Sequence, residues 1–300
     1  MTVGDFAELE MGLPDGAPPS RSGAVLRAIW TPVEGKIGVC ILIVFLFIVA
    51  FGPLLAPHGV NEIAVSLPNQ GPSSHLWLGT DELGRDVFSR FLIGGRSIIV
   101  IPVVATILAF LVGGSAGMVA GYRGGRIGDV IGRIIDVLIS LPYLLVVLVV
   151  VSVLQPTPPI LILAVAIVFA PRIARVLRGA TAAISVREYV QAAQARGEST
   201  AAIVVYELFP NILPTAMVEF AARLTYAIIF VATLNYLGLG LQPPSSNWAV
   251  MVADSQQTII SQPIQTIVPA LAIGAVSLGV SLIADAITQS SGRTRRDNVL

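Results

Sequence analysis

Long apolar runs separated by short polar stretches rich in glycine and proline set the pattern of this chain. The runs cover residues 37–55, 97–121, 130–154, 160–180, 215–241 and 264–287. About 20 apolar residues in a helix cross a hydrocarbon core of about 30 Å. The pattern therefore predicts an all-α polytopic membrane protein with six transmembrane helices. Small residues in the second run, Gly113, Gly114, Ser115 and Gly117, indicate close helix packing.

The same pattern divides the chain into four parts. Residues 1–35 are rich in Gly, Pro and Ser and predict a flexible N-terminal tail. Residues 36–96 hold the first transmembrane helix and an extracellular loop, and residues 97–288 hold a core of five transmembrane helices. Residues 289–300 form a second tail. The first 20 residues contain no Lys or Arg and so do not resemble a secretory signal.

The distribution of basic residues predicts how the chain is oriented. Loops and helix ends assigned to the cytosolic side carry Arg21, Arg27, Lys36, Arg123, Arg126, Arg133, Arg172, Arg175, Arg178, Arg187, Arg196, Arg293, Arg295 and Arg296. The opposite side carries only Arg85, Arg90 and Arg96. Because cytosolic loops hold the excess of Lys and Arg, both termini and the polar stretch 188–214 are expected in the cytosol.

Composition agrees with this assignment and excludes several function classes. The 300 residues are 55% hydrophobic and 12% charged, whereas soluble domains carry about 25% charged residues. The net charge is zero, which predicts no nucleic-acid partner. A phosphate-binding Walker loop requires Gly-Lys-Ser/Thr, but the one lysine, Lys36, precedes Ile37. The two histidines, His58 and His75, lie near Asp81 and Glu82 in a spacing that matches no metal motif. No catalytic, cofactor-binding or metal-ligating residue is therefore expected.

Charged residues within or beside the apolar runs are candidate functional positions. Asp136, Glu219 and Arg223 lie where charge is costly and tends to face a bundle interior or a wet path. Glu219 and Arg223 are spaced i, i+4, which also allows a simple intrahelical pair. Asp136 lies close to Arg133, which suggests an interface pair. Helix pairing and lining of a translocation path both remain open for the three residues.

The longest polar interruption in the second half, 188–214, is the strongest candidate for contact with another protein. It predicts a helix, a break at Gly197 and a second helix that leads into a proline-containing apolar run. Ala192, Ala193 and Ala195 give the first helix a surface of small residues. A solvated connector between membrane helices is the alternative.

This stretch resembles the cytosolic signature loop of importer-type ABC-transporter permeases. The resemblance rests on QAAQARG at 191–197 and FPNILP at 209–214, with Gln191 where glutamate is usual and Glu188 one turn earlier. Further stretches are similar to the second permease of dipeptide, oligopeptide and nickel importers: LGTDELGRD at 78–86, AGYRGG at 120–125, RIID at 133–136, PRIAR at 171–175 and LGLGLQPP at 237–244. Together they extend from about residue 78 to residue 285.

The resemblance implies an importer-type permease fold in the bacterial plasma (inner) membrane. It implies a second homologous permease, two ATP-binding subunits that bind ATP and Mg, and an extracellular or periplasmic substrate-binding protein. The loop at 187–210 would dock on an ATPase through Glu188, Gln191, Ala192, Ala193, Ala195, Gly197 and Pro210. The implied function is half of a translocation path for short peptides. Nickel or another small solute is the alternative substrate, and a self-contained secondary transporter is disfavoured because no clear repeat is seen.

Overall fold

The structure is a computed structural model that describes Trp30, residues 32–241 and residues 245–297, with side chains up to residue 289. Predictions for most of the 1–35 tail, for residues 242–244 and for residues 298–300 lie outside this part of the chain. The described residues form nine helices. They are α1 Val33–Leu55, α2 Val87–Arg123, α3 Gly125–Ser140, α4 Tyr143–Leu154, α5 Pro158–Ser185, α6 Glu188–Ala195, α7 Thr200–Tyr236, α8 Trp248–Asp254 and α9 Pro263–Asp297.

Five of these helices, α1, α2, α5, α7 and α9, are long and apolar enough to cross a membrane. The predicted run 130–154 is instead two helices, α3 and α4, which meet at 80° and would together make the sixth span. The break follows from Pro142, because the residue before a proline is pushed out of the helical region, and Leu141 is extended at φ −72° and ψ 134°. The all-α polytopic prediction is confirmed.

Three helices extend by ten residues or more beyond their predicted apolar runs. Helix α2 begins at Val87 instead of residue 97, because the Asp86 carboxylate caps it by accepting hydrogen bonds from the amides of Phe88 (3.2 Å) and Ser89 (3.1 Å). Helix α7 begins at Thr200 instead of residue 215, because the predicted second helix continues into the apolar run through a π-helical stretch at Ile203–Leu208. Helix α9 continues to Asp297, so most of the predicted 289–300 tail has a helical backbone.

Helices α2 and α5 touch backbone to backbone. Gly113, Gly117 and Gly121 recur every four residues on α2, and a Cβ added to any of them would collide with a carbonyl oxygen of α5. The oxygens belong to Ala170, Ala174 and Arg178, which also recur every four residues. Close approach of this kind maximises van der Waals contact where lipid removes the hydrophobic driving force. The contact fixes the depth and rotation of α5.

Residues 56–86, here called the cap segment, form a folded unit at the start of α2. The amide of Thr80 donates to the carbonyl of Gln70 (3.0 Å), and Thr80 forms an isolated β-bridge with Asp86. Gly79 and Gly84 take φ values of +77° and +70°, which favour glycine, and any Cβ there would also collide with backbone. The LGTDELGRD sequence therefore specifies a compact turn.

A buried ion network ties the cap segment to the helices beneath it. The Asp81 carboxylate accepts a hydrogen bond from Arg85 Nε at 2.7 Å and another from Arg90 of α2. Arg90 also lies 3.5 Å from the Asp254 carboxylate of α8. Burial raises the pKa of Asp81, but the Arg85 amide and the charges of Arg90 and Arg85 outweigh it, so this pKa lies below its usual range.

Helix α8 is held at the same end of the bundle. The Trp248 side chain is fully buried, and its indole N–H donates to the carbonyl of Phe91 at 2.7 Å. The Gln265 amide at the start of α9 donates to the carbonyl of Thr80 at 2.6 Å. The cap segment, α8 and the first turn of α9 therefore form one layer over the ends of the spans.

We expect Gly117→Ala to destabilise the protein by about 1–3 kcal/mol, because the added methyl group must push α2 away from α5. Gly179→Ala is the matched control, since it lies on α5 with nothing within 4 Å of a built Cβ. Thermal unfolding in detergent measures both. Equal midpoints for the two variants would contradict the backbone contact.

We expect Asp81→Asn to cost roughly 3 kcal/mol at neutral pH, because Arg90 would remain buried with only Asp254 to balance it. Its exposed neighbour provides the control, Glu82→Gln, which should have little effect. The Asp81 pKa is lowered by folding, so its contribution is complete at pH 7 and disappears only as the pH falls below about 4. Thermal midpoints of wild type and Asp81→Asn should therefore converge in acid, and identical midpoints at pH 7 would argue against the network.

Candidate functional site

Residues 187–210, here called the polar hairpin, comprise α6, a tight turn and the start of α7. The turn is a Schellman motif: the amide of Glu198 donates to Ala193 O (3.2 Å), and the amide of Gly197 donates to Gln194 O (2.9 Å). Gly197 supplies the positive φ, +78°, that this motif requires. Ser199 then caps α7 by accepting a hydrogen bond from the amide of Ala202 at 3.2 Å.

A small core of its own holds the polar hairpin together. Val190 and Ala193 of α6 are fully buried against Ile203, Val204 and Leu208 of α7. The expectation that Ala192, Ala193 and Ala195 share one outward surface is therefore wrong for Ala193. Helical periodicity turns that residue inward, toward the π-helical stretch of α7.

Hydrogen bonds anchor the hairpin to the end of α2. The Gln194 side-chain amide donates to the Tyr122 hydroxyl at 3.2 Å. The Arg123 guanidinium donates to the Thr200 hydroxyl at 3.1 Å. With α5 leading directly into α6, the hairpin is joined to α2, α5 and α7 together.

The outward face of the hairpin carries the other predicted docking residues on α6 and its turn. Glu188, Gln191, Ala192, Ala195 and Gly197 are all exposed. The Gln191 amide donates to the carbonyl of Val186 at 3.1 Å, so it also covers the end of α5.

The predicted docking residue Pro210 and a charged neighbour, Glu207, lie beside this face. Pro210 is half-buried within α7 instead of on α6 or its turn. Glu207, a charge in an otherwise apolar stretch, lies 3.7 Å from Arg196, which is also paired with Glu198 at 2.6 Å.

The structure pairs Asp136 with a residue that sequence reasoning did not select. Asp136 accepts a hydrogen bond from Arg175 of α5 at 2.6 Å, and not from Arg133. A second contact, Arg178 to Asp129 at 3.9 Å, runs alongside it. Both contacts join α5 to α3, and sequence order alone could not reveal that these two helices are neighbours.

Glu219 and Arg223 form the intrahelical pair that their spacing allows. The Arg223 Nε donates to the Glu219 carboxylate at 2.5 Å, and Glu219 is buried. Arg223 also lines a cavity of about 460 Å³. Arg223 can therefore both pair with Glu219 and line a path.

The other polar residues that line this cavity are Arg172, Tyr143, Tyr226 and Thr233. Arg172 lies 5.2 Å from the Tyr143 ring centroid, and Arg223 lies 5.8 Å from that of Tyr226. The distribution of basic residues along the sequence assigns Arg172 to the cytosolic side. That placement is wrong because α5 extends to Ser185, which puts Arg172 midway along the helix.

The candidate metal ligands do not converge. His58 lies 3.5 Å from Asp86, and its backbone amide donates to the Ser89 hydroxyl. Within the described ranges, no three His, Cys, Asp or Glu side chains come together as a metal site would require.

The part of the chain that matches a known family includes both the polar hairpin and the residues that line the cavity. Residues 113–296 match the family described as binding-protein-dependent transport system inner membrane component. The chain is 34% identical over 251 residues to the dipeptide transport system permease protein DppC of Alkalihalophilus pseudofirmus, covering 84% of this chain and 83% of that protein. It is 37% identical over 221 residues to DppC of Bacillus subtilis, covering 73% and 69% respectively.

A relative with a different named substrate is similar to the same extent. The glutathione transport system permease protein GsiD of Pectobacterium atrosepticum is 32% identical over 219 residues, covering 73% of each chain. Together with the membrane-spanning helices, these matches show that the chain belongs to the binding-protein-dependent transport system inner membrane component family, as a multi-pass inner-membrane permease of the ABC-importer type.

Proposed function

We propose that this chain is one of two permease subunits of an ATP-driven importer of short peptides. It forms half of the translocation path and transmits movement from separate ATP-binding subunits through the polar hairpin. A substrate-binding protein delivers the peptide on the other side of the membrane. The observation that carries the proposal is the attachment of the hairpin to three spans at once.

Rigid attachment is what a coupling element needs. The turn and the small core lock α6 against α7, and two hydrogen bonds lock the hairpin to α2. A partner that pushes on the exposed face of α6 would therefore move α2, α5 and α7 together. Two global states that differ in this rigid-body position would open the path alternately.

The two ends of α2 support a two-sided arrangement. The cap segment packs at Val87, and the hairpin packs at Arg123, about 55 Å apart along a helix of 37 residues. Arg85 and Arg90 at the cap end are paired with carboxylates. More arginines lie at the hairpin end of the spans than at the cap end, and this excess favours a cytosolic hairpin and cytosolic termini.

The energy source is assigned to partner subunits because the chain has no Walker lysine. ATP and Mg would bind there, and this subunit would bind no cofactor. The peptide class rests on the named substrates of relatives, which are dipeptides and glutathione.

The test is reconstitution of the chain with its second permease, ATP-binding subunits and substrate-binding protein in liposomes. We expect ATP-dependent accumulation of labelled dipeptides or tripeptides and no ATP hydrolysis by the purified chain alone. Uptake of nickel without peptide uptake would overturn the peptide assignment. ATP turnover by the isolated chain would overturn the division of labour.

Cysteine crosslinking tests the docking face in that assembled complex. Cys40, the one native cysteine of this chain, is first replaced by Ser. Ala192→Cys and Ala195→Cys should then crosslink to an ATP-binding subunit. Ala193→Cys is the matched control and should react poorly, because Ala193 is 0% exposed. Crosslinks to the substrate-binding protein, or reaction at residue 193 alone, would contradict the docking face.

A further inference from the structure

The cavity between α4, α5 and α7 has a polar composition that the coupling role does not explain. Its volume is about 460 Å³, within the range of small-molecule sites. Arg172 and Arg223 enter it from different helices, and each lies over a tyrosine ring. Phe169 and Phe230 supply apolar wall.

The two arginines lie deep in the membrane-spanning bundle. Arg172 is about 20 Å along α5 from either end of that helix, and Arg223 is about 20 Å from the Tyr236 end of α7. Charge at such a depth is costly and marks a water-filled path or a ligand. Helix packing alone does not require two arginines here.

The described residues do not balance the charge of the cavity. Glu219 neutralises Arg223 at 2.5 Å. Arg172 contacts the Tyr143 ring, and no carboxylate among the described residues lies within 4 Å of it. One positive charge therefore faces the cavity without an acidic partner from the described part of the chain.

A guanidinium with few competing waters binds a carboxylate through two parallel hydrogen bonds, and aromatic walls accept apolar groups. We propose that this cavity is a subsite that binds the C-terminal carboxylate of a peptide in transit. Arg172 contacts the carboxylate, while Arg223, whose charge is balanced by Glu219, contributes a polar donor to the cavity wall. The assignment rests on the proposed peptide-import function and adds the chemical group that the path recognises.

Protection of an introduced thiol against chemical modification tests the subsite directly. The substrate-binding protein is left out, so its selectivity does not affect the result. Ile229 also lines the cavity and is 49% exposed, so Ile229→Cys in a Cys40→Ser background provides the reporter. The assembled permease–ATPase complex is treated with anionic and cationic methanethiosulfonate reagents. We expect the anionic reagent to react about tenfold faster, because one unbalanced positive charge attracts it.

Peptide binding is read from the same thiol. Trialanine with a free carboxylate should slow modification several-fold, whereas trialanine amide at the same concentration should not. Arg172→Gln should abolish both the protection and the preference for the anionic reagent, and Arg172→Lys should retain most of the preference. Arg175→Gln is the matched control, because Arg175 lies on the same helix but pairs with Asp136 outside the cavity.

The outcomes separate this subsite from the proposed function and from a protein partner. If ATP-dependent peptide uptake persists but trialanine and its amide protect equally, the carboxylate subsite is wrong while peptide import stands. If Arg172→Gln releases the second permease on purification, Arg172 pairs with an acid of that subunit and the subsite is overturned. Absence of uptake for any peptide would instead count against the proposed function.

Discussion

The backbone contact between α2 and α5 is the constraint on which the other functional features depend. Glycines at every fourth position of α2 let the two helices approach until Cβ atoms would collide with carbonyl oxygens. This contact sets the depth of α5, and α5 carries Arg172 into the cavity, Arg175 and Arg178 toward α3, and its last turn into the polar hairpin. A larger distance between α2 and α5 would shift Arg172, the Arg175 and Arg178 pair and the start of the hairpin together, because all of them lie on one rigid helix.

The cap segment and the polar hairpin are both fixed to α2, at its opposite ends. The cap is held by a buried network centred on Asp81 and Arg90, and the hairpin by a small apolar core and two hydrogen bonds. These different interactions suit different surroundings. A buried ion network specifies one arrangement at the cost of desolvation, while the hairpin leaves an exposed face on α6 that a partner can reach. The cavity lies between these two ends.

Much of the candidate site could be predicted from local sequence rules. Gly197 predicts a helix end because only a residue that accepts positive φ completes a Schellman turn, and the turn occurs there at φ +78°. Glu219 and Arg223 are one helical turn apart, so their pairing follows from helix geometry. The inward orientation of Ala193 was missed, because which face of an amphipathic segment is covered depends on what packs against it.

The sequence by itself determined the all-α membrane fold, the family and the residues of the polar hairpin, since apolar run length, spacing and turn chemistry are local properties. Only the tertiary structure decided that the 130–154 run bends by 80°, that Asp136 pairs with Arg175, and that Arg172 and Arg223 share a cavity. Each of these depends on which helices are neighbours and at what depth they cross. Close helix contact is set by packing across the whole bundle, and no single stretch of sequence encodes it.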